Sequence, residues 1–154
     1  MKKIFFIGSV VLLAAACNSN DKNAANDKSK KDTLSETQKS NAISDSANYT
    51  TIEWLDSTSH NMGKVKEGEI LEIAFKFKNT GNKPLVISSV TASCGCTIPE
   101  KPEKAFAPGE EGMIRAKFDS HNKSGAQQKT VYVTANTTPT KDYQLNFSVD
   151  VEKK

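Results

Sequence analysis

The sequence predicts an all-β domain: two antiparallel sheets packed as a sandwich of about seven strands. Three observations predict it. Apolar residues alternate with polar ones at period two in several separate runs. Gly, Pro and Asn punctuate the intervals between those runs. No ten-residue stretch carries a helical period.

Thr50 to Leu55 is the first strand candidate. Glu69 to Lys78 is the clearest, with Leu71, Ile73, Phe75 and Phe77 on one face and Glu72, Ala74, Lys76 and Lys78 on the other. Such alternation marks a half-buried strand in an antiparallel sheet. Asn79-Thr80-Gly81-Asn82-Lys83-Pro84 then reads as a turn. Gly81 and Asn82 tolerate positive φ there, and Pro84 opens the next strand, Leu85 to Val90. A short strand around Cys96 to Ile98 follows. Pro108-Gly109-Glu110 fits a turn with Pro at the first central position and Gly at the second. Met113 to Asp119 turns Ile114, Ala116 and Phe118 inward and Arg115 and Lys117 outward. Thr130 to Ala135 is a further strand, and Thr137 to Asp142 a turn carrying Pro139. Tyr143 to Val151 closes the set, with Tyr143, Leu145, Phe147, Val149 and Val151 on one face. Six or seven short strands in about 100 residues imply an immunoglobulin-like (Ig-like) sandwich. Trp54 has no cysteines spaced around it, so the domain is not of antibody type.

The segments before this domain differ in character. Lys2 and Lys3 precede thirteen uncharged residues, Ile4 to Ala16, and Ala14-Ala15-Ala16 leads into Cys17. Thirteen residues fall short of the roughly 20 that cross a bilayer as a helix. Residues 1–16 resemble a bacterial lipoprotein signal peptide, cut before Cys17 and lipidated on it. Leu13 lies four residues before the cysteine rather than the usual three. An ordinary secretory signal, which also ends in small residues, is the alternative. Residues 17–48 then hold the lipidated cysteine and a polar tether, with five Lys against five Asp and Glu after Cys17. So few apolar residues cannot offset the entropy of ordering. Residues 49–154 form the Ig-like domain. Asn18 is not the Asp that retains some lipoproteins in the inner membrane, so the expected location is the cell envelope, anchored to the outer membrane on an unspecified face. Asp32-Thr33-Leu34, Asp45-Ser46-Ala47 and Asp56-Ser57-Thr58 each resemble an acceptor of bacterial O-glycosylation.

Charge excludes one class of partner. The whole chain carries +3, but from Ser46 onward fourteen Lys and Arg face thirteen Asp and Glu, a net of +1. No basic stripe appears, so no nucleic acid is expected.

Several motifs occur in a fixed order: Met62-Gly63-Lys64-Val65-Lys66-Glu67-Gly68, Phe75 through Asn79-Thr80-Gly81 to Pro84-Leu85, Ser93-Cys94-Gly95-Cys96-Thr97, Pro108-Gly109, and Phe118-Asp119. Over roughly Thr50 to Glu152 the chain resembles the bacterial family catalogued as domain of unknown function 1573, and more distantly the Ig-like domains of Hydin type. Met62 stands where the family tends to carry an aromatic. The resemblance implies an exported Ig-like domain, often a lipoprotein of Gram-negative envelopes, with no assigned reaction.

Chemistry concentrates on Cys94-Gly95-Cys96. Lipidation of Cys17 leaves this pair out of three cysteines. In an extended strand the two Cα atoms stand about 6.6 Å apart, at the upper edge for a disulfide, and Gly95 can turn the chain to bring them closer. A loop of three residues contributes only about 1.6 kcal/mol through chain entropy. A bridge worth so little is easily reduced. Three readings stand open: a disulfide or thiol pair that pins a turn, thiol–disulfide exchange, or a soft-metal site for Cu(I) or Zn. The exchange reading lacks a Cys-x-x-Cys on a helix N-terminus. The metal reading needs further ligands, and His60, His121, Met62 and Met113 are the candidates.

No catalytic constellation stands out. Asp119-Ser120-His121 are neighbours on a loop and cannot line up as orienter, nucleophile and base. Glycines sit singly at turns, without a phosphate cradle. Glu110-Glu111 and Glu67, Glu69 and Glu72 read as solvated surface. The sequence thus favours a non-enzymatic module without cofactor or small-molecule substrate. It would be tethered to the membrane by its lipid and engage an envelope protein or glycan, or organise the envelope. Edge strands are one docking surface for such a module. The rival is a redox or soft-metal protein acting through Cys94 and Cys96.

Overall fold

A computed structural model describes residues 45–153. Cys17, the leader and most of the tether lie outside the described residues, as does Asp32-Thr33-Leu34. A 3-10 turn, Ser46–Asn48, is followed by eight strands: β1 Ile52–Trp54, β2 Ser59–Lys66, β3 Ile70–Asn79, β4 Ile87–Ala92, β5 Thr97–Glu100, β6 Glu111–Asp119, β7 Gly125–Ala135 and β8 Asp142–Glu152. They form two four-stranded sheets, in the orders β1-β3-β6-β5 and β2-β8-β7-β4. The expected all-β sandwich is present, with one strand more than about seven.

The additional strand is β2. Its inward residues, His60, Met62 and Val65, are interrupted by a register shift between Asn61 and Lys64, where Gly63 takes φ 71°. A bulge shifts the side-chain alternation by one residue, which hides a period-two signal. β2 also pairs parallel to β8, while the other strand pairs are antiparallel. No hairpin joins these two strands, so turn geometry does not impose the antiparallel sense.

The remaining strands match the alternation, with shifted ends. β7 begins at Gly125 rather than Thr130, because Gly125 through Lys129 pair with Val151 through Phe147 of the long β8. β4 begins at Ile87, not Leu85. Pro84 therefore does not open the strand, and Leu85 instead exchanges both backbone hydrogen bonds with Phe106 at 2.8 Å.

The core lies between the sheets. Ile73, Phe75, Phe77, Ile114, Ala116 and Phe118 face Val131, Val133, Leu145, Phe147, Val149 and Val151, all buried. Phe118 and Phe147 meet edge-to-face across the interior, 5.7 Å between centroids. Phe77 makes edge contacts with both Trp54 and Phe106. Such pairs are worth about 0.5–1.5 kcal/mol beyond their buried area.

Candidate functional site

Cys94 and Cys96 lie where the chain leaves β4 in one sheet and enters β5 in the other. Thr97 N–H donates to the Cys94 carbonyl at 3.2 Å, which closes a turn over Gly95 and Cys96. That turn draws the two Cα atoms to 5.3 Å, and the sulfurs are bonded to each other. Each sheet holds one end: Ser93 N–H donates to Thr130 O and Asp119 N–H to Cys96 O, both at 2.9 Å. Cys96 packs against the core, and the buried Thr97 hydroxyl donates toward Cys94 Sγ at 3.6 Å. Gly95 is exposed and a Cβ there would meet nothing within 4 Å, while Cys94 and Cys96 on either side of it are half-buried.

The structure does not gather the candidate metal ligands around the pair. His60 stacks on Phe75 with centroids 4.6 Å apart, and Met62 packs on the core. Met113 lies on the outer face of β6, and His121 Nδ1 bonds Asp119 Oδ1 at 2.6 Å. Among the described residues, no three His, Cys, Asp or Glu side chains converge to hold a metal. Ser120 is buried and its hydroxyl faces the carbonyls of Glu69 and Lys66, at 2.7 and 3.1 Å. It therefore ties the β2–β3 turn to the end of β6 and points away from His121's bond with Asp119.

The turn motif around Asn79 is a structural joint. Asn79 is fully buried. Its Nδ2 donates to Lys83 O at 2.8 Å and Phe106 O at 2.9 Å, while its Oδ1 accepts from Thr50 Oγ1 at 2.8 Å and Gly81 N at 3.1 Å. Its backbone exchanges bonds with the Pro108-Gly109 turn: Gly109 N–H donates to Asn79 O, and Asn79 N–H to Glu110 O. Gly109 takes φ 81°, as a glycine in the second central position requires. Thr80 N–H donates to Thr51 O, and the hydroxyls of Thr80 and Thr51 bond at 3.0 Å.

Gly81 and Asn82 depart from expectation, because neither adopts positive φ. Glycine is needed at 81 for space instead. A Cβ there would stand 2.1 Å from Thr50 Oγ1 and 2.6 Å from Thr51 N, so the backbone of the incoming chain presses against it.

A second buried amide, missed in the sequence, does the same work at the other sheet. Asn136 Nδ2 donates to Asn48 O and Pro84 O, and its Oδ1 accepts from Val86 N at 2.7 Å. A signal existed: Asn-Thr ends β3 as Asn79-Thr80 and follows β7 as Asn136-Thr137.

The two outer faces differ. On the β1-β3-β6-β5 sheet, Lys117 pairs with Glu72 and Glu100, both at 3.4 Å, and Lys78 with Glu111 at 3.7 Å. Ile70 and Ile98 are exposed beside them. On the other sheet the middle of the face carries amides and hydroxyls without charge. Charged side chains stand at its ends, among them Lys64 paired with Glu152 at 2.7 Å.

Comparisons with known proteins agree with this architecture. A family described as protein of unknown function (DUF1573) matches residues 52–151. No curated protein matches. A protein of unknown function from Porphyromonas gingivalis W83 shares the fold at a TM-score of 0.59 and 19% identity, covering 69% of this chain. This chain spans only 49% of that one. The ASH/PapD-like domain 7 of human CEP192 superposes at a TM-score of 0.51 and 10% identity, covering 87% of this chain and 98% of that domain. With the family match extending over well over half of the sequence, the chain belongs to the family DUF1573.

Proposed function

We propose that this chain is a cell-envelope protein, held to the outer membrane by lipid on Cys17, whose Ig-like domain is a non-enzymatic docking module for an envelope protein or glycan. One observation carries the reading. Among the described residues, the buried polar residues Thr50, Asn79, Thr97, Ser120, Asn136 and Thr137 all bond within the domain itself, and Trp54 Nε1 is the one buried side-chain polar atom without a partner. What the domain presents outward is sheet faces and the edge strands β1, β2, β4 and β5. A free strand edge is a template for an added strand. The basic-then-apolar leader ending in Cys17 supports the anchor.

Two measurements test it. Cys17→Ser should move the protein from the membrane fraction to the soluble fraction; retention in the membrane refutes the lipid anchor. A photocrosslinking residue at Thr91, Ile98 or Asn61 of the full chain in living cells should give discrete, position-dependent adducts. Uniform absence of adducts refutes the docking module.

A redox role is a second reading, favoured by the closed bridge at an exposed tip. A thiolate of a partner protein dithiol would attack one sulfur and form a mixed disulfide. The partner's second thiol would then resolve it, leaving two thiols here and a disulfide on the partner. A soft-metal role would need that reduction first, since a bridged sulfur is not a thiolate. Intact mass after alkylation, with and without mild reductant, separates the readings. Opening under mild reductant favours exchange; resistance to strong reductant favours a structural pin.

A further inference from the structure

We infer that the outer face of the β2-β8-β7-β4 sheet is a binding face for a neutral glycan chain, an assignment that rests on the docking-module reading. The register aligns two polar rows across three strands: Ser59, Asn146 and Thr130 in one, Asn61, Ser148 and Gln128 in the next. Adjacent strands stand about 4.8 Å apart, so each row offers hydrogen-bonding groups at that spacing. Beyond the first row Tyr132, 45% exposed, stands opposite Gln144.

Local bonds fix the polarity of these groups. Asn146 Oδ1 accepts from Thr130 Oγ1 at 2.8 Å, and Asn61 Oδ1 accepts from Gly63 N at 2.9 Å. Each amide is thus oriented by one bond at its oxygen, with its NH2 turned away from that partner. The positive φ of Gly63 that makes the bulge also sets the Asn61 amide, so the irregularity in β2 contributes to the face. Two adjoining open depressions, about 560 and 550 Å³, lie over the rows and share Gln128 and Ser148; Lys64 and Asp150 also line the first, and Lys129 the second.

Chemistry selects the occupant. A phosphorylated or acidic polymer requires clustered cations, whereas the two rows carry no charge, Lys129 is a single cation beside them, and Lys64 stands opposite Asp150 and is paired with Glu152. A membrane surface requires apolar or cationic area. Solubility alone is served by charge, as on the opposite sheet. Amide and hydroxyl ladders match the alternating donors and acceptors of sugar hydroxyls, and a flat exposed ring matches the C–H face of a pyranose.

The test uses the full mature chain, purified in detergent, in affinity electrophoresis through gels containing dextran, laminarin, galactomannan or pullulan. Polygalacturonate and heparin serve as charged controls. At least one neutral polymer should retard the protein. Tyr132→Ala should weaken that retardation roughly three- to tenfold, and Tyr132→Ala with Gln128→Ala should abolish it, with melting temperatures unchanged. Retardation by no neutral polymer, by charged polymers only, or unaltered by the double substitution overturns the assignment. Photocrosslinks distinguish this failure from failure of the docking module. Protein adducts from Thr91 or Ile98 without glycan binding leave the module standing and remove the glycan. Protein adducts from Gln128 itself assign the face to a protein and likewise overturn it.

Discussion

Replacing Asn79 with Ala removes four hydrogen bonds from one buried point. Each is worth about 1 kcal/mol net, and a buried group left without a partner costs about 1–3 kcal/mol. The losses are unequal. Phe106 O also accepts from Leu85 N–H at 2.8 Å, so it keeps a partner. Gly81 is half-buried and Lys83 exposed, so water reaches their backbone groups. Thr50 is buried, and its hydroxyl loses the acceptor it now has at 2.8 Å. Together these give a loss of about 3–4 kcal/mol. In a domain of this size that lowers the melting temperature by roughly 15 °C. Urea unfolding followed through Trp54, the single tryptophan, measures it directly. The midpoint should fall with the slope unchanged. Thr50→Val alone should cost about 1–2 kcal/mol, and the double mutant should show coupling of about 1 kcal/mol. Asn82→Ala, exposed three residues on, is the control and should stay within about 0.5 kcal/mol. A loss below about 1 kcal/mol for Asn79→Ala would refute its role as the joint between β3, the incoming chain and the Phe106 segment.

Other substitutions test neighbouring claims. Gly81→Ala should destabilise by about 1–3 kcal/mol through overpacking against Thr50 and Thr51, whereas Gly95→Ala, with open space around it, should leave the urea midpoint nearly unchanged. Cys94→Ser with Cys96→Ser should cost about 1.6 kcal/mol in oxidised protein and leave the far-ultraviolet circular dichroism intact; unfolding of the double variant would mean that the bridge holds more than a turn. Glu110 accepts from Lys104 Nζ and Ala107 N–H, and these bonds hold its carboxyl below the ordinary 4.5. Its ionised form therefore adds stability above pH 4.5 that is lost as pH falls through the lowered value. Melting curves from pH 6 to 3 should show Glu110→Gln with a shallower acid-side decline than wild type, and equal slopes would remove Glu110 from the acid response.

The sequence by itself determined what alternation encodes. Ile73, Phe75 and Phe77, then Ile114, Ala116 and Phe118, then Leu145, Phe147, Val149 and Val151 are buried as their spacing requires. A period of two is a local property and survives without knowledge of the partner strand. Pro108-Gly109 was legible for the same reason, since a turn of that type is written in four adjacent residues. The closure of Cys94 onto Cys96 was readable as feasible, because only Gly95 stands between them.

Tertiary structure alone decided the rest. β2 has a weak pattern of its own and becomes a strand because β8 offers it a parallel edge. Asn79 finds Thr50 across 29 residues, and Asn136 reaches Asn48 across 88. An amide's donors and acceptors fit many surroundings, so its type does not name its partners. Gly81 shows the same limit, since its glycine answers to a chain segment 30 residues away rather than to its own φ. The neutral face exists only once β2, β8 and β7 are in register. Side-chain period is set by neighbouring bonds, whereas the partner across a sheet or beneath a turn is set by the whole chain's packing.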